Sequence, residues 1–132
     1  MHFFLKMDPP TKTYQMHRIG VSKSGKRYIY EDRELKEIRA RYRDALARFA
    51  PDKPLTGPVR LMVKWCFPNG KHPDGSWKTT KPDTDNLLKM LKDEMSKAGF
   101  WKDDALVASE INEKFWAKQS GIYIEVEELT GA

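Results

Sequence analysis

The stretch on which the fold turns is Lys81-Pro82-Asp83-Thr84-Asp85-Asn86-Leu87-Leu88-Lys89-Met90-Leu91-Lys92-Asp93-Glu94-Met95-Ser96-Lys97-Ala98-Gly99. Proline biases the residue before it away from helix, and Asp83 carries the short acceptor that suits the first free N–H groups of a helix. Leu87, Leu88, Leu91, Met95 and Ala98 then share one face, while Asp85, Lys89, Lys92 and Asp93 gather on another. Gly99 follows where a left-handed cap residue belongs. The pattern predicts an amphipathic helix that starts at Asp83 and stops at Gly99.

Working outward, Val59, Leu61, Val63, Trp65 and Phe67 alternate with Arg60, Met62, Lys64 and Cys66, which predicts a strand buried mainly on one side and closed by Pro68-Asn69-Gly70. Beyond the helix, Ala105 to Lys118 and Gly121 to Glu128 read as two strands joined by a turn near Gln119-Ser120-Gly121. Toward the N-terminus, His2 to Lys6 reads as a short strand ending at Pro9-Pro10. Asp32 can cap a helix with the apolar stripe Leu35, Ile38, Tyr42, Ala45, Leu46 and Phe49, whose other faces carry Arg33, Lys36, Arg39, Arg41, Arg43 and Arg48. The stretch from Lys12 to Arg27 is polar and basic, with Gly20 and Gly25 suggesting a hairpin or loop. The expected order is βαβαββ: one small α/β (α+β) domain over residues 1–132, a mixed sheet backed by two main helices.

The polar face of the central helix carries the chemistry. Residues two apart in a regular helix point about 200° apart, so Asp83 and Asp85 converge only if Asp83 lies at or before the cap. Gly99 lets the chain turn and bring Asp103 and Asp104 back beside the helix. Carboxylates so gathered repel one another unless a cation sits among them, and hard oxygen ligands select Mg²⁺ or Mn²⁺, which binds alongside substrate phosphate oxygens. The same residues also read as helix capping, with Lys89 an i,i+4 partner of Asp85 and Asp103-Asp104 a plain turn. A calcium loop is excluded, because the glycine and glutamate it needs after Asp83 are missing.

The run 81–89, continued by Lys97-Ala98-Gly99-Phe100-Trp101-Lys102-Asp103-Asp104-Ala105-Leu106-Val107, resembles the signature of the RusA family of Holliday-junction resolvases. That family pattern reads Asp-x-Asp-Asn, a lysine three residues on, then Gly-Phe-Trp-x-Asp-Asp. The resemblance implies that Asp83, Asp85 and Asp104 are catalytic and bind metal, and that Lys89 is the essential lysine. It leaves Asp103 either supporting the metal from behind its ligands or shaping the turn, and Phe100 and Trp101 are read as core plugs rather than contacts to a partner. The implied activity is a Mg²⁺-dependent endodeoxyribonuclease, with Mn²⁺ able to substitute, that resolves four-way DNA junctions by paired symmetric nicks in recombination, repair or phage DNA processing. The implied assembly is a homodimer. Two other readings stand beside it: a non-catalytic DNA-binding module, and a less selective Mg²⁺-dependent nuclease.

The charge agrees with an acidic partner: 24 Lys and Arg against 19 Asp and Glu give a net +5 and an isoelectric point near 9.3. Candidate DNA contacts are Lys12, Arg18, Lys26 and Arg27 in the N-terminal basic stretch, and Lys71, Trp77, Lys78 and Lys81 in the segment entering the aspartates. Trp77 reads either as a stacking platform for an unpaired base or as packing within its own loop. A single cysteine, Cys66, excludes an internal disulfide, and His2, His17 and His72 lack metal-ligand spacing. No stretch reads as a membrane span or signal peptide, so the expected compartment is the cytoplasm.

Overall fold

The structure, a computed structural model, describes residues 1–13, 18–21, 27–30 and 33–130, with backbone alone at 18–21 and 27–30. Along the chain lie β1 (His2–Leu5), β2 (Arg18–Val21), β3 (Arg27–Tyr30), α1 (Arg33–Ala47), β4 (Val59–Pro68), α2 (Thr84–Ala98), a 3-10 turn (Asp104–Leu106), β5 (Val107–Ala117) and β6 (Gly121–Glu128). The α+β reading holds, with two strands more than the βαβαββ order. They form a separate antiparallel hairpin, β2 with β3, in the basic stretch.

The main sheet has the order β1-β6-β4-β5, and β4 is its hub. Helix α2 carries the chain back so that β5 runs parallel to β4, whereas β6 is antiparallel to both β4 and β1. The turn after β5 therefore does not close a hairpin. It crosses the end of β4 and delivers β6 to the far side. Period-two alternation sends Val59, Leu61, Val63, Trp65 and Phe67 to one face, where each is at most 3% exposed. Against them pack Leu35, Tyr42 and Leu46 of α1 and Leu87, Leu88, Met90, Leu91 and Met95 of α2. On the opposite face of that alternation, partial burial pushes the Cys66 thiol up, away from reactive thiolate chemistry.

Both ends of α2 follow the sequence. Asp83 has extended dihedrals (φ −72°, ψ 147°) at the N-cap, yet its carboxylate makes no hydrogen bond to the helix. Gly99 is left-handed (φ 88°), so the amide of Phe100 donates to the carbonyl of Met95 at 3.1 Å and the chain reverses. Phe100 and Trp101 then enter the core, 0% and 1% exposed, and the Trp101 indole N–H donates to Ser96 Oγ at 2.7 Å.

One pairing departs from the amphipathic reading. Arg39 of α1, which the sequence places off the apolar stripe, is 9% exposed, and Glu94 of α2 is 1% exposed. Arg39 Nη1 donates to Glu94 Oε2 at 3.0 Å, with Lys97 at 3.2 Å and Arg43 at 3.6 Å completing the charge balance. A charge pair locked between two helices fixes how α2 lies on α1, and removing one member strands the other in a poorly solvated place. Arg39→Met is expected to lower unfolding free energy by about 3 kcal/mol in urea titrations, with Arg39→Met/Glu94→Met recovering most of the loss.

Candidate active site

Residues from three elements meet in an open cleft of about 400 Å³ beside α2. The first turn of α2 supplies Asp85, and the next turns supply Lys89, Lys92 and Asp93 on the same polar stripe. The 3-10 turn supplies Asp104 at the entrance to β5, as the turn after Gly99 predicts, and β5 supplies Glu110 and Asn112. Asp83 lies just outside this lining, exposed at the cap of α2.

The carboxylates of the cleft differ in their commitments. Glu110 is paired with Lys92 at 2.7 Å, and Asp93 lies 3.9 Å from Arg39. Asp85 and Asp104 are both exposed, and among the described residues neither has an ion pair or side-chain hydrogen bond. Asp103 is engaged locally, where its carboxylate accepts from the Ala105 amide at 2.9 Å and caps the 3-10 turn. Of the two sequence readings of Asp103, this geometry is that of the turn-shaping one.

The aspartate segment is held in place from β5. Asn112 Nδ2 donates to the carbonyl of Thr84 at 2.8 Å, while Asn112 Oδ1 accepts from the Trp65 indole N–H at 2.7 Å. Lys114 Nζ donates to the carbonyls of Thr80 at 2.7 Å and Pro82 at 2.8 Å. Sequence reading passed over Asn112, Lys114 and Glu110. The signal was there: alternation along β5 places Glu110, Asn112, Lys114 and Trp116 on one side of the strand, the side facing α2.

Among the described residues no three of His, Cys, Asp and Glu stand together as a ready-made metal cage. Mg²⁺ seldom needs one, being held by one or two carboxylates with water and phosphate oxygens filling its octahedron. Asp85 and Asp104 in one cleft, with Asp83 two residues before Asp85 and its carboxylate making no bond to the helix, are a donor set of that kind.

The candidate DNA contacts fall in different environments. Lys71 and Lys81 are exposed, and Lys12 pairs with Glu34 at 3.0 Å. Lys78 is 8% exposed: its ammonium lies 4.1 Å from the Trp116 ring centre and 4.9 Å from that of Phe67, and it donates to Thr80 Oγ1 at 2.6 Å. Burial, with Lys114 nearby, pushes the Lys78 pKa down. Trp77 pairs through its backbone with Phe115 on the β5 edge, and its ring, 62% exposed, lies 4.6 Å from the Phe115 ring. Arg18 and Arg27 open β2 and β3, with side chains outside the described residues, and Lys26 lies outside them altogether.

The family model described as endodeoxyribonuclease RusA matches residues 10–127, a span that takes in the whole cleft. The chain belongs to the RusA family. It is 38% identical over 73 residues to a protein of Lactococcus phage r1t named crossover junction endodeoxyribonuclease rusA, a match covering 54% of this chain and 56% of the phage protein. It is 26% identical over 123 residues to the uncharacterized protein YqaN of Bacillus subtilis (strain 168), covering 84% of this chain and 86% of that one. The RusA family match contains Asp83, Asp85, Lys89 and Asp104, and it also contains the Asn112 and Lys114 ties that hold their backbone. Among the described residues no helix is long and apolar enough to cross a membrane.

Asn112→Ala removes the tie to Thr84 and leaves the buried Trp65 N–H without its acceptor. Its expected cost is about 1–3 kcal/mol, read as a lowered midpoint in urea unfolding followed by tryptophan fluorescence.

Proposed function

We propose that this chain is a metal-dependent endodeoxyribonuclease that resolves four-way DNA junctions by paired symmetric nicks, acting as a homodimer. The observation that carries the reading is the cleft itself, where two uncommitted carboxylates, Asp85 and Asp104, share an open surface with Lys89 in a chain of net charge +5. Membership of the RusA family and the likeness to the phage r1t protein support the substrate.

Asp85 and Asp104, joined by Asp83, would hold Mg²⁺, with Mn²⁺ an acceptable substitute by the same oxygen chemistry. The chemistry such an ion supplies is activation of a water for in-line attack and neutralisation of charge on the scissile phosphate and its leaving 3′ oxygen. Lys89 sits one helical turn from Asp85 and offers a cation to a phosphate oxygen, most strongly when negative charge builds in the transition state. Asn112 and Lys114 act on the backbone of residues 80–84, so the aspartates meet the phosphodiester without first being ordered by it. Asp103 keeps Asp104 at the strand entrance. Lys71 and Lys81, exposed on the segment leading into α2, are the contacts we assign to the DNA backbone.

A C2 dimer suits the approximate two-fold symmetry of a four-way junction, one site for each of two opposed strands. The test is cleavage of fixed and branch-migratable junctions beside duplex and flap controls, in Mg²⁺, Mn²⁺ and EDTA. Paired nicks confined to junctions are expected, abolished by EDTA and reduced on the order of 10²–10³-fold or more by Asp85→Asn or Asp104→Asn while junction binding persists. Tight binding with no cleavage under any condition would replace this reading with a DNA-binding module, and equal cutting of every substrate with a general nuclease. Lys89→Gln is expected to lower the single-turnover rate at saturating protein while changing junction affinity by no more than about threefold.

A further inference from the structure

Two ties run from β5 to α2 across the cleft, and they differ in kind. At one, Asn112 Nδ2 donates to the carbonyl of Thr84, a neutral bond whose asparagine is itself fixed by the buried Trp65 indole. At the other, two residues earlier on the same side of β5, Glu110 Oε2 lies 2.7 Å from Lys92 Nζ. Both members of this ion pair line the cleft beside Asp85, Lys89 and Asp104. Water reaches them, the Lys92 side chain being 23% exposed and that of Glu110 37%. The Glu94 carboxylate, at 1%, is shut away among Arg39, Arg43 and Lys97. An ion pair in contact with water adds little to stability and changes partners at small cost, whereas breaking a buried one is expensive. Glu94 is built to stay paired, and the Lys92–Glu110 pair is free to open.

Its place on α2 says what would open it. Lys92 follows Lys89 by three residues, about 4.5 Å along the axis and on the same polar stripe. Helical side chains lean toward the N-terminus, which inclines the Lys92 stem back toward Lys89 and Asp85. Two lysines this close on one helix face repel each other, and Glu110 offsets that repulsion while the cleft is empty of ligand. A phosphodiester carries the same single negative charge as a carboxylate and offers the same kind of oxygen acceptor to an ammonium. A strand drawn along α2 therefore brings to Lys92 a group able to take the place of Glu110, whose carboxylate then returns to water.

We propose that Lys92 is a phosphate contact of the DNA strand entering the cleft, and that Glu110 holds it in the free protein as a stand-in for that phosphate, so that binding proceeds by exchange of one anion for the other. The proposal rests on the reading above for its ligand, a DNA phosphodiester. It gives Glu110 a role apart from any metal: a carboxylate 2.7 Å from an ammonium is already committed, where Asp85 and Asp104 have no ion pair among the described residues.

Binding of a fluorescent four-way junction in EDTA, followed by anisotropy over a range of salt concentrations, tests it, with circular dichroism and thermal melting to establish folding of each variant. Lys92→Gln is expected to weaken binding at least about threefold and to lower the slope of log affinity against log salt by about one, while Lys92→Arg keeps both near wild type. Glu110→Gln is expected to tighten binding about two- to fivefold, and most of that gain to be missing in Lys92→Gln/Glu110→Gln. Should Lys92→Gln not fold, Glu110→Gln decides alone, its failure to tighten binding overturning the proposal. A pair that serves only the fold gives lowered melting midpoints with the salt slope unchanged, and that result overturns it as well. So does an equal gain from Glu110→Gln in both backgrounds, which makes Glu110 merely one more negative charge near DNA. Glu110→Gln that binds like wild type yet cuts no junction in Mg²⁺ overturns it in favour of a metal ligand. Cleavage by the wild type on the same junction keeps the two readings apart: a protein that binds through Lys92 and cuts nothing in Mg²⁺ or Mn²⁺ sinks the nuclease and spares the exchange, and one that cuts junctions while Lys92→Gln leaves affinity and salt slope unchanged does the reverse.

Discussion

A buried indole N–H needs an acceptor, and in this protein that need ties three elements together. Trp65, 0% exposed at the centre of β4, donates to Asn112 of β5, whose amide donates in turn to Thr84 at the start of α2. Leaving either donor unmade in the interior costs about as much as a substantial part of a small domain's net stability. The spacing of strand, neighbouring strand and helix start is thereby set by two hydrogen bonds, and Asp85 takes its position from Thr84 next to it. Packing decides that α2 lies on the sheet; this relay decides where along the sheet its first turn sits.

Electrostatics is divided by place in the molecule. Glu94, the deeply buried carboxylate among the described residues, is surrounded by Arg39, Lys97 and Arg43, and serves to lock helix to helix. The carboxylates of the cleft stay near water, where an ion can reach them without a large desolvation penalty. Separating these two uses lets the structural pair be neutralised internally while Asp85 and Asp104 stay exposed, without an ion pair among the described residues. In the proposed function, that unpaired acidic surface is where a cation, and through it a phosphate, would bind.

Much of the frame was legible in the sequence because its signals are local. The alternation of Val59 to Phe67, the leucine face of α2, Asp83 at the cap and Gly99 at the stop each express one backbone geometry in one short window. Strand order was not legible. β5 and β6 are consecutive and joined by a short turn, yet they flank β4 instead of pairing, because alternation says which side of a strand is buried and not which strand is its neighbour. Charge burial was hidden for a related reason: the apolar stripe of α1 leaves Arg39 outside it, and only the tertiary pairing with Glu94 shows that together the two can be buried. Lys78 follows the same rule, its ammonium lying against two aromatic rings in place of solvent. For the site, residue types that carry chemistry were readable, whereas Asn112 and Lys114 act on backbone carbonyls and have no signature of their own.

The segment between β4 and α2 is pinned at both of its ends to the edge of β5. Ser76 and Lys78 exchange backbone hydrogen bonds with Trp116 and Lys114, Asp74 accepts from the amide of Lys118, and the Lys114 ammonium grips the carbonyls just before Asp83. The reach of the chain between Asn69, whose amide donates to the carbonyl of Ala117, and Asp74 is consequently uncoupled from the placement of the aspartates. Residues can be gained or lost in that interval, and its chemistry rewritten, without displacing Asp83 or Asp85. Such an arrangement leaves a tuneable rim around a fixed centre.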